Sequence, residues 1–373
     1  MRFLLRMLLV VATISVSSVG ALAEEGSHYF PGALSSFIDT LPVNTGSETI
    51  AVANESLYYH GSNNHLIPGG GSNATTYTNV WAFLYQLPGA ISLLPGKPQY
   101  SVALVVPYTW LQVHRPFRNS KGVGVLAKDT DNGFGDVEMF PFMLGWSKIE
   151  CEKKGERFKY QLDYQTQFGI YAPTGAFDNN NVANVGRNFW TFEPGAAASF
   201  LRYLYPGGKT KLALEFTTSA GFDFNTKNSA SQYQTGDQFH LDGTLAVHKV
   251  VEQVGGLVGA GVSGFFYQQI TRDSGVGAKL GSFEAMTTGV GPDLSFITRF
   301  EHVVVAAEVK WLPELSVTNR LQGNAVWFKL AFSWADLPKC PVPEGRFATL
   351  AAPAAPAAPL SAGERSLYSI SSF

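Results

Sequence analysis

Charge is the first thing this sequence is short of. Only 15% of its 373 residues are Asp, Glu, Lys or Arg, against about a quarter in an average soluble chain. The net charge is −2 with no basic cluster, which excludes the electrostatic footprint of a nucleic-acid-binding protein. Two cysteines, Cys151 and Cys340, are too few for a disulfide-built scaffold. In an oxidising compartment they can still pair with each other. Also missing is an apolar run fit to cross a membrane as a helix. Residues 254–271 are uncharged, but their glycines make them a poor helix former. The longer run 56–96 is broken by Gly, Pro and Asn. With mean hydropathy at +0.03, a polytopic helical membrane protein is excluded.

What is present is aromatic and glycine-rich: 13% of residues are Phe, Trp or Tyr, and 38 are Gly. The ordering signal is a period of two. Over 159–171, Tyr160, Leu162, Tyr164, Thr166, Phe168 and Ile170 fall on one face, opposite Lys159, Gln161, Asp163, Gln165 and Gln167. Over 211–225, Leu212, Leu214, Phe216, Ala220, Phe222 and Phe224 oppose Lys211, Glu215, Thr217, Ser219, Asp223 and Asn225. Successive strand side chains point to opposite faces, so each segment reads as a strand with an oily side and a strongly polar side. Such strands run to about 12–15 residues, whereas soluble strands peak near 5–6. Aromatics gather at their ends: Tyr100 opens one, and Tyr108 and Trp110 close its apolar face. Long alternating strands with aromatic girdles define a transmembrane barrel.

The pattern predicts an all-β fold, an antiparallel up-and-down transmembrane β-barrel of about 12 strands. The strands fall at 48–60, 75–87, 98–113, 135–147, 157–171, 188–203, 210–225, 235–250, 254–270, 283–298, 301–317 and 324–334. Links that are mostly long and rich in Gly, Asn, Asp and Ser (61–74, 114–134, 172–187, 226–234, 271–282 and 318–323) alternate with links that are mainly tight turns, the one around 88–97 being an exception, as outer loops alternate with periplasmic turns. Bulges are expected where Gly and Pro interrupt strands, around Pro141, Pro194, Pro292 and the glycines after Gly255.

Four regions follow. Residues 1–23 have a charged start, an apolar centre and an A-x-A ending before Glu24, the form of a secretory signal peptide. Residues 24–47 are a lead-in able to enter the lumen as a plug. Residues 48–334 form the barrel. Residues 335–373 are an Ala/Pro-rich tail, expected to be extended or disordered. The implied location is the outer membrane of a Gram-negative bacterium, with the lipid bilayer and the barrel-assembly machinery as partners.

The polar faces, summed, give a candidate lumen: Lys159, Gln161, Asp163, Gln165, Gln167, Glu193, Lys211, Glu215, Asp223, Gln238, His240, Asp242, His248, Glu308, Lys310 and Lys329. Buried lumen charges pair largely to satisfy one another; a few are expected to line a route that selects cargo. Phe265, Phe266 and Tyr267 face either lipid or that route. Asp136 and Asp273 stand near strand–loop junctions and can accept hydrogen bonds from loop amides at the mouth, where Gly133 and Gly135 permit bends. His240 and Asp242, at i and i+2 with His248 and Glu308 beyond, make two metal ligands without a defined third, so neither a metal nor a cofactor is expected. A barrel enzyme acting on lipid would need Ser and His at the outer surface; the histidines fall inward and no G-x-S-x-G is present. A third reading is a surface barrel whose loops bind a partner, favoured if 24–47 fills the lumen.

Three stretches carry a family likeness. They are Gly133-Phe134-Gly135-Asp136-Val137 with Pro141 and Trp146; Pro173-Thr174-Gly175 with Asn184, Gly186, Asn188, Trp190 and Pro194; and Gln269, Thr271, Asp273-Ser274-Gly275 with Gly277-Ala278 and Gly291-Pro292. Over roughly 28–334 the chain resembles the outer-membrane proteins of the MetA pathway of phenol degradation, also called SphA-like transporters. The resemblance implies a channel that lets small hydrophobic or aromatic compounds cross the outer membrane. The Ala/Pro tail departs from the family's usual ending at the last strand.

Overall fold

The computed structural model describes residues 27–36, 39, 46–63, 71–118, 124–152, 157–205, 212–251, 255–278, 281–300 and 302–335. Its strands are β1 (Thr49–Ser62), β2 (Asn73–Ala90), β3 (Gln99–Arg118), β4 (Gly124–Phe134), β5 (Val137–Cys151), β6 (Phe158–Ala172), β7 (Thr191–Leu204), β8 (Leu212–Asn225), β9 (Gln238–Val251), β10 (Gly256–Gln269), β11 (Met286–Phe300), β12 (Val303–Thr318) and β13 (Gln322–Trp334). All neighbours pair antiparallel, and the sheet closes where β1 meets β13 from Ile50↔Trp334 to Ser62↔Gln322. Closure removes the edges that no transmembrane sheet can leave unpaired.

The wall has twelve staves, because β4 and β5 share one. The upper half of β3 pairs with β4 from Tyr108↔Phe134 to Arg118↔Gly124; its lower half pairs with β5 from Val105↔Glu138 to Gln99↔Gly145. Gly135 and Asp136 interrupt the stave between them. The expectation of an irregular loop at 114–134 is therefore corrected. Most of that segment is a hairpin continuing the wall outward, and its Asp-Thr-Asp-Asn run, which reads as loop chemistry, lies on β4.

Faces alternate as the two-residue rhythm requires. On β8, Phe216 is 52% exposed while its neighbours Glu215 and Thr217 are buried. Trp81, Trp110, Trp190, Trp311 and Trp334 are all exposed on the outside, as girdle aromatics are at a membrane interface. No helix among the described residues is long and apolar enough to cross a membrane; this chain crosses with strands. A bulge lies between Met139 and Phe142, flanking Pro141. The strand holding Pro292 also carries its expected irregularity, whereas the strand of Pro194 and the glycine-rich β10 do not. Pro194 continues the β6–β7 register as the partner of Phe168, and the β7–β8 ladder skips it, so its missing N–H costs no ladder bond. The β10 ladders run without a shift through every glycine. The register shift in β11 falls at Thr288/Gly289, ahead of Pro292.

Candidate functional site

The lumen is polar, buried and occupied by the chain's own N-terminal segment. His28 Nδ1 lies 2.7 Å from Thr191 Oγ1 and its Nε2 lies 2.8 Å from Asp136 Oδ2. Tyr29 donates its hydroxyl to Asp242 Oδ2 at 2.7 Å, and the Gly32 amide donates to Asp242 Oδ1 at 2.7 Å. Lys310 Nζ donates to Gly32 O and Ser35 Oγ, both at 2.8 Å. Trp327 Nε1 donates to Pro31 O at 3.1 Å, and Lys329 Nζ to Ala33 O at 3.2 Å. Ser219 Oγ donates to Leu34 O at 2.6 Å. Thr191 is on β7 and Lys329 on β13, six staves apart in a ring of twelve, so residues 28–36 bridge opposite walls. Gly32 has φ +83°, and a Cβ there would run into Leu312 Cδ1; only glycine fits this turn against β12.

Buried wall charges are organised round this segment. Lys310 forms an ion pair with Glu308 Oε2 at 3.0 Å, and Lys329 pairs with Asp39 and, at 3.3 Å, with Glu55. His248 Nε2 lies 2.6 Å from Glu215 Oε2, and Thr217 donates to Glu215 Oε1 at 2.7 Å. On the β6 side, Gln161 donates to Asp163 at 2.6 Å and Gln165 to Gln167 at 3.0 Å. Gln238 accepts from Ser27 at 2.7 Å. Lys159 departs from the lumen assignment: it is half-exposed at the short-turn end of β6, paired with Glu150 at 2.5 Å. Lys211 and Cys340 lie outside the described residues, as do 1–26 and 336–373. Burial drives the His28 imidazole below its ordinary range, opposed by the Asp136 carboxylate beside it.

At the long-loop end, Asp136 gathers backbone. Its Oδ1 accepts from the Gly175 amide at 2.8 Å and its Oδ2 from the Arg187 amide at 2.7 Å. Gly175 and Gly186 meet so closely that a Cβ on Gly175 would stand 2.7 Å from Gly186 Cα. Asp273 accepts from the Gly236 amide at 3.1 Å. Asp129 and Asp131 of β4 accept from the amides of Val182, Ala183 and Val185 at 2.8–2.9 Å, fastening the 173–190 loop to the raised hairpin.

Above the N-terminal segment lies a cavity of about 810 Å³, whose lining includes Phe30, Tyr59, Phe265, Phe177, Arg115 and Arg320. Phe265 and Tyr267 point inward and are buried, while Phe266 turns outward. That split was open in the sequence, because three consecutive aromatics fit either phase. Sequence reading also grouped His240 with His248 and Glu308. The folded wall separates these and instead brings Glu193 and Asp223 to His240, a grouping visible only once the β7–β8–β9 register is known.

A closed barrel with an oily belt, girdle aromatics and a charged, occupied lumen is an outer-membrane β-barrel protein. A family model, "Putative MetA-pathway of phenol degradation", matches residues 61–330, and the chain belongs to that family. No curated protein matches the sequence. Among solved structures it is similar to the COG4313 outer membrane channel from Pseudomonas putida F1, with 15% identity over 82% of this chain and 99% of that one and a TM-score of 0.48. It is also similar to the transport unit of the autotransporter AIDA-I from Escherichia coli (9% identity, 79% and 92% covered, TM-score 0.42). A third likeness is to the beta domain of the Bordetella autotransporter BrkA (10%, 78% and 100%, TM-score 0.38).

Proposed function

We propose that this protein is an outer-membrane channel that admits small hydrophobic or aromatic molecules by passive diffusion, with residues 27–36 acting as a plug. The observation that carries the reading is the cavity. At about 810 Å³ it falls within the range of small-molecule sites, which combine an apolar lining with a few placed polar groups. Phe30, Tyr59, Phe177 and Phe265 supply ring surface, and Arg115 and Arg320 supply charge near it. Aromatic rings stack on aromatic rings in offset or edge-on contacts, which suits a cargo that is itself a ring. The floor of the cavity is Tyr29, Phe30 and Pro31 of the N-terminal segment. The test is growth of a deletion strain and its parent on a panel of aromatic carbon sources at limiting concentration. Slower growth of the deletion strain on a subset is expected; equal growth on all would overturn the reading.

A second reading has its own observation. Because residues 28–36 bridge opposite walls, the cavity can serve as a binding cup for a surface partner without passing anything inward. Flux through the intact protein separates the two.

The tail enters this proposal through Cys151, the last residue of β5, which is disulfide-bonded. The sequence has one other cysteine, Cys340, and we assign it as the partner. Peptide mapping without reductant should recover the peptides holding Cys151 and Cys340 as one linked species that separates on reduction. Separate recovery under both conditions would refute the assignment.

A further inference from the structure

The lumen wall brings one imidazole and two carboxylates together at distances longer than hydrogen bonds. Glu193 of β7, Asp223 of β8 and His240 of β9 are all buried, and one ligand atom from each lies within 4.8 Å of the others. His240 Nε2 stands 3.6 Å from Glu193 Oε1 and 3.7 Å from Asp223 Oδ1. Neither oxygen of Asp223 and neither ring nitrogen of His240 has a hydrogen-bond partner among the described residues, although Asp223 is wholly buried and His240 nearly so. Buried polar groups are ordinarily satisfied, and a buried carboxylate with nothing on it is costly. His240 Nε2 and Asp223 Oδ1, both without a hydrogen bond, face each other beside Glu193 Oε1, and a cation between them would satisfy all three.

The surroundings are built as a ligand shell is. Tyr171 donates its hydroxyl to Glu193 Oε2 at 3.0 Å, leaving Oε1 turned toward His240. His240 Nδ1 faces Asp242 Oδ2 at 3.9 Å, and Asp242 is itself held by Tyr29 and the Gly32 amide. At that distance the contact is electrostatic and not a hydrogen bond, and a negative charge behind a ligating histidine raises its basicity. Tyr29 also stacks on His240, with ring centroids 4.1 Å apart and planes 18° from parallel. Glu138 of β5 stands beside Glu193: its Oε1 and the Glu193 Cβ both lie 3.4 Å from where a Gly169 Cβ would be. No lysine or arginine makes an ion pair with the three donors among the described residues.

We infer that Glu193, Asp223 and His240 Nε2 bind a divalent first-row transition cation inside the barrel. One imidazole nitrogen with two carboxylates is a donor set for Zn²⁺, Mn²⁺ or Fe²⁺ and not for soft ions. Around a tetrahedral Zn²⁺ with bonds of about 2.0–2.1 Å, donor atoms stand about 3.3–3.4 Å apart; His240 Nε2 lies a few tenths of an ångström beyond that from each carboxylate oxygen, and the three donors lie within 4.8 Å of one another. The set is assembled from three neighbouring staves and backed by the N-terminal segment through Asp242. Metal binding and docking of that segment are thereby coupled.

The experiment uses the full mature protein without a histidine tag, stripped with a chelator and reloaded with Zn²⁺, Mn²⁺ or Co²⁺. One equivalent of Zn²⁺ or Mn²⁺ per chain is expected by elemental analysis, and Co²⁺ should give visible d–d absorption bands. Asp223→Asn and His240→Ala should fall to background. Asp242→Asn should keep the site but weaken it by about 10–100-fold, as loss of an outer partner does. Glu150→Gln, in the half-exposed pair with Lys159 at the short-turn end of the barrel, should bind like the parent. Should His240→Ala fail to assemble, the Co²⁺ spectrum of the parent and the Asp242→Asn affinity decide the matter. A parent that takes up none of the three ions stoichiometrically, or an Asp223→Asn protein that binds at parent affinity, overturns the proposal. Neither result bears on transport, which flux measures independently.

Discussion

Deleting residues 27–36 is expected to raise small-solute flux through reconstituted vesicles by more than an order of magnitude. The segment is fastened at both sides of the lumen: Tyr29 and Gly32 bond to Asp242 on β9, Trp327 bonds to Pro31, and Lys329 to Ala33. It thus occupies the middle of the bore, beneath the cavity lined by Phe30, Tyr59 and Phe265. A barrel of twelve staves lies between the small barrels that side chains alone can fill and the 16–18-stranded porins that leave an aqueous channel. Removing ten residues from its centre opens space that wall side chains cannot refill, because buried Asp242, Lys310 and Lys329 would rather recruit water than collapse. Heat-modifiable migration on gels checks that the variant is assembled before flux is measured. Flux equal to the parent's would mean that the segment is not the obstruction and would favour the binding-cup reading.

The second large effect concerns Lys310. Replacing it with Met is expected to lower unfolding stability by about 3–5 kcal/mol, the usual cost of stripping one partner from a buried pair. Lys310 is 1% exposed, holds Glu308 at 3.0 Å, and donates to Gly32 O and Ser35 Oγ; Asp293 is its cross-strand partner on β11. Methionine matches the stem but leaves two carboxylates in the wall without their cation. Adding Glu308→Gln to Lys310→Met should recover a substantial part of the loss, because it removes one of those charges. Urea unfolding in lipid vesicles measures both. A Lys310→Met protein as stable as the parent would show that the pair is solvated through the lumen.

Much of the wall was legible because its code is local. The alternation in 159–171 and 211–225 identifies strand, inward face and lipid face from neighbouring residues alone, and β6 and β8 follow it. Proline was a weaker guide: Pro141 marks a bulge while Pro194 does not, since the cost depends on whether a ladder bond is needed at that position. β4 was hidden because Asp129, Thr130, Asp131 and Asn132 have the composition of a turn; their role is to present carboxylates to the amides of residues 182–185. The interior was hardest to read. Lys310 meets Gly32 across 278 positions, and Glu193, Asp223 and His240 converge only through the registers of two ladders. No periodicity announces either.

The bonds between residues 27–36 and the wall have a consequence for the order of folding. The first-made residues of this segment wait for the last-made: their partners Lys310, Trp327 and Lys329 lie on β12 and β13, and contacts between distant parts of a chain are the slow ones to form. The seam between β1 and β13 is likewise closed by the two ends of the barrel sequence. Filling of the bore and sealing of the cylinder thus draw on the same late strands. A chain stalled before β12 would hold an N-terminal segment missing about half its anchors, inside a wall that is still open.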